Sequence, residues 1–359
     1  MEPPAAAGAA FAPAQHAAWL LGQQGRACAA LGSPLYASLL DHAAADLLGG
    51  GPVAAVLDGY LAEPAASVLA LRMLGGAHAL ALSGQAPGLA AFYPSAGGTA
   101  SPGPDGADAW DALRQTLTAH ADWIRTWLTR PPQTNEVGRG AALVGGLRHI
   151  AAEKQLPVRL IEVGTSAGLN LRADQFRITG EAGRHGDSSS PVVLAGGWRG
   201  APPPETAVEV VSRGGGDLDP IDPATPAGSL TLTAYVWPDQ AGRLERLRGA
   251  IDLAAAIPAD VRRESATATL ARTRLADGSW TVLWHSIFRQ YLDTGQRAEL
   301  SAGVAGLAAA ATASARFAYL YLEQSRSGGC PVTLTTWPGG RKRVIGHAPP
   351  HGLPVTWDA

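Results

Sequence analysis

The chain has 359 residues, which is room for one large domain or two ordinary ones with a sizeable core. Lys and Arg number 28 against 30 Asp and Glu, a formal charge of −2, which excludes the basic footprint of a nucleic-acid or anionic-membrane binder. Cys28 and Cys330 are the only cysteines and there is no CxxC, so a disulfide framework and a thiolate zinc site are excluded as organising features. Two distant thiols point to a reducing compartment, hence an expected cytoplasmic location. The first twenty residues lack a basic n-region, and no run of about 18 strongly apolar residues occurs. Neither a secretory signal nor a membrane span is expected.

Residues 12 to about 130 read as helices separated by Gly and Pro breaks. Ser33-Pro34 opens one, with Leu35, Leu39 and Leu40 on one face, and the GGGP at 49–52 ends it. Val53, Val56, Leu57 and Tyr60 begin the next. The stretch 84–108 is rich in Gly, Pro, Ser and Ala and reads as loop. Trp110, Leu113, Leu117, Trp123, Ile124, Trp127 and Leu128 then return at helical spacing, with Trp123 and Trp127 expected in the core. This predicts an all-helical N-terminal cap over 1–131.

From 132 onward strands alternate with helices. Gln133–Glu153 reads as a helix capped by Thr134 or Asn135. The apolar run Val158–Val163 reads as a strand. Later strand candidates are Val208–Val211, Thr281–His285, Phe317–Leu322, Val332–Thr335 and Arg343–Ile345. Helical patterns cover Arg243–Ile257 and Ala298–Ala313. Arg341, Lys342 and Arg343 read as a solvated turn. The alternation favours an α/β fold with a parallel, doubly wound sheet over 132–359, ending in antiparallel strands.

The most informative segment is RLIEVGTSAGLNL, at 159–171. A strand enters a glycine turn and a helix is expected to leave it. Glycines let the backbone approach a ligand, and a helix start offers free N–H groups. Three readings compete. One is a nucleotide or S-adenosylmethionine site. Another is a nucleophile elbow, because Gly164-Thr165-Ser166-Ala167-Gly168 fits G-x-S-x-G, with Ser166 as nucleophile and His285, His347 or His351 as base. The third is a tight turn with no ligand. A dinucleotide fingerprint is absent, as is an HGGG-type oxyanion loop before the elbow. His347 and His351 flank two prolines, so helical i,i+4 ligation fails and no metal site is expected.

The order of motifs resembles class I S-adenosylmethionine-dependent methyltransferases. Glu162 stands where that family places an acid before its glycines. Gly216-Asp217-Leu-Asp219-Pro220 is similar to the acidic turn after the second strand, and Glu264-Ser265 and His285-Ser286 follow at later strand ends. The resemblance implies a Rossmann-like fold with S-adenosylmethionine as cofactor. Glu162, Gly164, Thr165, Ser166, Gly168 and Asn170 would shape its methionine side. Asp217 would hold the ribose, Glu264 or Ser265 would lie near the adenine, and His285 and Ser286 would lie near the acceptor. His285 is the candidate base, with Asn135 and Tyr291 as acceptor contacts. Gln133, Glu136 and Arg139 would bind substrate, and Trp237 would wall the sulfonium. Gly164 to Asp217 spans 53 residues where about 20 are usual, so an inserted flap is expected at about 176–205. If that insert belonged to the sheet, Asp217 would lose its role.

The chain also resembles, over nearly its whole length, a bacterial family of unknown function sharing SPLY, QTNEVGR, EVGxSAGLN, GxDxxPxD, WPDQ and a late HG. These stand here at 33–36, 133–139, 162–170, 215–222, 237–240 and 351–352. The expected function is methyl transfer to a small-molecule acceptor, or, in a minor version, intramolecular cyclisation of S-adenosylmethionine releasing methylthioadenosine. A serine hydrolase using Ser166 and a non-catalytic nucleotide-binding protein are the alternatives. The sequence leaves the oligomeric state open.

Overall fold

Proline and serine punctuation sets the first helices. α1 (Pro13–Ala30), α2 (Pro34–Leu48) and α3 (Pro52–Leu57) each carry a proline in the first turn, where its missing N–H has no partner to lose. Ser33 caps α2 by accepting the Tyr36 N–H. α4 (Leu69–Leu82), α5 (Pro87–Ala90), α6 (Ala107–Ala119) and α7 (Ala121–Leu128) follow. The 84–108 stretch is therefore not all loop: it holds α5 and two 3₁₀ turns. Trp127 is buried as expected, but Trp123 is 40% exposed and donates its indole N–H to Gly76 O.

The computed structural model describes residues 12–325 and 328–358. They divide into two units: residues up to Gln133 with Leu230–Leu244, and Thr134–Ser229 with the chain from Glu245. The expected boundary after 131 thus falls two residues later, and 230–244, assigned from sequence to the sheet domain, joins the helices instead. The cause is apolar burial. Tyr235 packs so closely on α4 that a Cβ on Gly75 would lie 2.7 Å from its ring, and Trp237 joins the helical core with Tyr36. Ala65–Leu82 has the length and hydropathy of a membrane span, and it is 67% buried within this fold.

The second unit contains α8 (Gly140–Glu153), α11 (Ala266–Arg272), α12 (Thr294–Ala310) and parts of α9 (Pro226–Ala234) and α10 (Ala241–Ala256). Its strands are β1 (Val158–Val163), β2 (Arg177–Gly180), β3 (Gly183–His185), β4 (Val193–Gly200), β5 (Val210–Asp217), β6 (Asp260–Arg263), β7 (Ser279–Ser286), β8 (Ala315–Leu322), β9 (Cys330–Trp337), β10 (Arg341–Ala348) and β11 (Val355–Trp357). They form one mixed, mostly parallel sheet in the order β3-β2-β4-β11-β10-β9-β8-β7-β1-β5-β6. From β6 to β8 every pairing is parallel, and β8-β9-β10-β11 is antiparallel, as expected for the chain end.

Three sequence expectations change. The 176–205 insert supplies β2, β3 and β4, so it belongs to the sheet. It joins at the far edge, however, and β5 still pairs with β1, so Asp217 keeps its place at the end of β5. The glycine turn leads into a 3₁₀ helix, Leu169–Gln175, rather than an α-helix. Arg341–Arg343 begins β10 instead of forming a turn.

Strand alternation places side chains on two faces. Glu162, Trp284 and Leu320 are register partners, and Leu320 lies against Gly146 of α8. Val163, Leu283 and Phe317 pack on the opposite face with Leu300, Val304 and Leu307 of α12. β7 is buried along almost its whole length, as a central parallel strand covered on both faces requires.

Candidate functional site

β1 pairs with β5 on one side and β7 on the other, so chain order reverses direction across the sheet at β1. In open α/β sheets the crevice beyond the carboxyl ends at such a reversal is where ligands bind. The glycine turn lies there. Gly164 has φ +68°, and a Cβ would sit 2.3 Å from the Phe288 ring. Ser166 is also left-handed, at φ +53°, an uncommon conformation for a residue with a Cβ.

The turn is tied to β5. Gly164 and Thr165 donate to Gly216 O, and Ser166 N–H donates to Asp217 Oδ2 at 2.9 Å. Asp217 Oδ1 accepts from Asp219 N–H, also at 2.9 Å. The 134–139 segment docks on the same turn. Asn135 Oδ1 accepts from Leu169 N–H at 2.8 Å, and Asn170 Nδ2 donates to Glu136 O at 3.1 Å. Arg139 donates to Pro350 O and Ser286 O. A Cβ on Gly138 would lie 2.5 Å from His351 O, so four motif segments far apart in sequence converge at one end of the sheet.

Glu162 is the centre of this convergence. It is 3% exposed, and its Oε2 makes no hydrogen bond. Burial pushes the carboxyl up to about 8, while the Trp284 indole, Arg139 and Arg172 oppose the rise and Asp217 adds to it. Thr165 Oγ1 and Asn170 Oδ1 are likewise buried without a partner. Buried polar groups are nearly always bonded, so three unpartnered ones close together at the strand reversal make this the candidate site.

Other expected site residues have different surroundings. Asn135 does not cap α8, which starts five residues later; it caps the 3₁₀ helix through Leu169, because its carbonyl reaches that free N–H. Glu136 Oε1 accepts from Gly138 N–H. Glu264 pairs with Arg272, and its N–H donates to Asp217 O, which keeps it beside the site. Ser265 is exposed and caps α11. Tyr291, 42% exposed, lies in a 3₁₀ turn after β7. Gln133 and Trp237 fall in the helical unit. There Trp237 lies tilted against Tyr36, with the Arg243 guanidinium over its ring at 5.4 Å, so its aromatic face is used within that unit. Asp239 of the same WPDQ motif accepts from Ser33 Oγ and Leu35 N–H, and so reinforces the start of α2 instead of its own helix.

His285 is fully buried, and both ring nitrogens are engaged, with Glu323 and Tyr319 at 2.7 Å each. It projects from the face opposite Glu162, so it is not an open base beside the turn. His285 therefore has no ring nitrogen left for Ser166. His347 is exposed, and its Nδ1 lies 3.7 Å from Asp358 Oδ1. Among the described residues no His, Cys, Asp and Glu cluster suits a metal ion. Sequence reading missed Glu323 and Arg172. Glu323 directly follows an apolar strand, as Glu162 nearly does, which was its available signal; Arg172 gave none. Arg172 donates to Gly168 O and Ile257 O and braces the turn.

Comparison with curated proteins and with solved structures finds no match. A family described as an uncharacterized protein conserved in bacteria (DUF2332) matches residues 18–357, and the chain belongs to that family.

Proposed function

We propose that this chain is an S-adenosylmethionine-dependent transferase that methylates a small-molecule acceptor, built on a Rossmann-like sheet. The observation that carries the reading is the buried Glu162 carboxyl at the strand reversal, whose Oε2 has no hydrogen-bond partner. The order β6-β5-β1-β7-β8 supports it, because it follows the 3-2-1-4-5 arrangement of doubly wound nucleotide-binding sheets. The residues present suit the group. Glu162 offers a desolvated acceptor to an ammonium. Asp217 has lone pairs left for ribose hydroxyls after its two backbone bonds. The left-handed turn brings backbone close to the ligand. When bound, S-adenosylmethionine supplies an electrophilic methyl carbon. The chain's contribution is orientation and exclusion of water, worth several kcal/mol.

Isothermal titration with S-adenosylmethionine, S-adenosylhomocysteine and NAD tests this. Micromolar binding of the first two, lost in Glu162→Ala or Asp217→Ala, is expected. No binding to folded protein refutes the reading. Methylthioadenosine release without acceptor would identify the intramolecular version instead. The strained φ of Ser166 favours one second reading, a hydrolase elbow. A fluorophosphonate adduct on Ser166 would establish it.

A further inference from the structure

On the sheet face opposite Glu162, three side chains form a continuous hydrogen-bonded chain. His285 Nδ1 lies 2.7 Å from Glu323 Oε1, and its Nε2 lies 2.7 Å from the Tyr319 hydroxyl. The same Glu323 oxygen accepts the N–H groups of Phe288 and Arg289 at 2.8 and 3.2 Å. Burial raises the Glu323 carboxyl, but the hydrogen bonds from His285 and the Phe288 and Arg289 amides oppose that, and the carboxyl is held below the ordinary carboxylate value. Glu323 is therefore ionised at neutral pH and can only accept.

That fixes the Glu323 end of the chain. An ionised acceptor takes the Nδ1 proton, and the Tyr319 hydroxyl sits 2.7 Å from Nε2, placed to donate there whenever that nitrogen is bare. The arrangement is that of a hydroxyl, a base and an orienting acid. The ring plane is also fixed, because Tyr321 stacks on the imidazole at 5.4 Å and 5°. Tyr319 is the half-buried member; the other two are buried. Burial pushes its phenol up, with Arg289 opposing, so at rest it keeps its proton. A histidine that only fills a core needs no ionised acid, whose burial is costly.

We propose that Tyr319, His285 and Glu323 form an acid–base relay in which the Tyr319 hydroxyl meets a small molecule bearing an ionisable N–H or O–H. The ligand's N–H or O–H bond breaks and its proton passes to the Tyr319 oxygen. Tyr319's own proton passes to Nε2, which leaves an imidazolium against the Glu323 carboxylate. The electron pair stays on the ligand heteroatom. This goes beyond the transferase reading; only its use in deprotonating a methyl acceptor rests on that reading.

An aryl sulfonyl fluoride tests the relay on the full chain without S-adenosylmethionine. A sulfur–oxygen bond forms at tyrosine, fluoride leaves, and the phenol proton goes to Nε2. Mass spectrometry is expected to find Tyr319 modified ahead of Tyr291, which is 42% exposed. His285→Gln is expected to slow Tyr319 about a hundredfold, the lower end of what a positioned base contributes. A second readout needs no variant. Nitrogen-15 spectra of labelled histidine should show His285 protonated at Nδ1 and bare at Nε2. Tyr291 reacting first with Tyr319 indifferent to His285→Gln, or a proton on Nε2, overturns the relay. Since neither readout uses S-adenosylmethionine, failure of that ligand to bind would refute the transferase reading alone.

Discussion

Replacing Glu162 by Gln should stabilise the protein at neutral and alkaline pH while weakening the proposed S-adenosylmethionine site. The carboxyl rises from 4.5 to about 8 because burial penalises its charge. Below about pH 4.5 both folded and unfolded chains hold this proton, and the group is neutral to stability. As pH rises toward 8, the unfolded chain ionises and the folded one does not, so the equilibrium shifts toward unfolding. Above about 8 the full penalty applies. Each unit is about 1.4 kcal/mol, so the ceiling is about 5 kcal/mol. Gln keeps the shape and never ionises. Thermal unfolding of both proteins from pH 4 to 9 should therefore show coincident curves at the acid end. A gap of about 10 °C should favour Glu162→Gln by pH 8, at a few degrees per kcal/mol. The variant should also bind S-adenosylmethionine about a hundredfold more weakly, the value of a charged hydrogen bond. Parallel stability curves, or a variant less stable at pH 8, would refute the reasoning.

The same titration gives a second expectation. A cation can use Glu162 only as carboxylate, so binding below about pH 8 should release a proton, and affinity should rise with pH up to that point. Calorimetry in buffers of different ionisation enthalpy reads this directly. Gly164→Ala should cost more than about 2 kcal/mol in thermal unfolding, since φ is +68° and the added Cβ meets the Phe288 ring at 2.3 Å. Glu323→Gln has the opposite sign to Glu162→Gln. Its folded value is lowered, so its contribution is present above pH 4.5 and lost as pH falls through the folded value. Denaturant titration should show the variant weaker at pH 7 and level with wild type in acid. Asp239→Ala should lower the stability of the helical unit by about 1–2 kcal/mol, because Ser33 Oγ and Leu35 N–H lose their acceptor.

Local chemistry was legible in the sequence. Val158–Val163 is a strand with the predicted ends, and the glycines at 164 and 168 take the left-handed turn that their spacing implies. Both follow from neighbouring residues alone: an apolar β-branched run, then positions that tolerate positive φ. The added edge strands were hidden because VLAGGWRG carries little alternation, and pairing with β2 and β11, not propensity, makes it a strand. Tertiary structure alone decided what the polar residues do. Glu162 is an acid at a strand end on paper. Only the packing of β5, β7 and the 134–139 segment removes its water and leaves Oε2 unpartnered. His285 could have been an open base, but partners 34 and 38 residues away take both nitrogens. Trp237 lies between stretches of the sheet unit in sequence, yet its apolar ring finds its burial among helices. Backbone conformation depends on residues a few positions apart, whereas desolvation and hydrogen-bond partnership depend on whatever the fold brings within a few ångströms, and no short-range pattern encodes that.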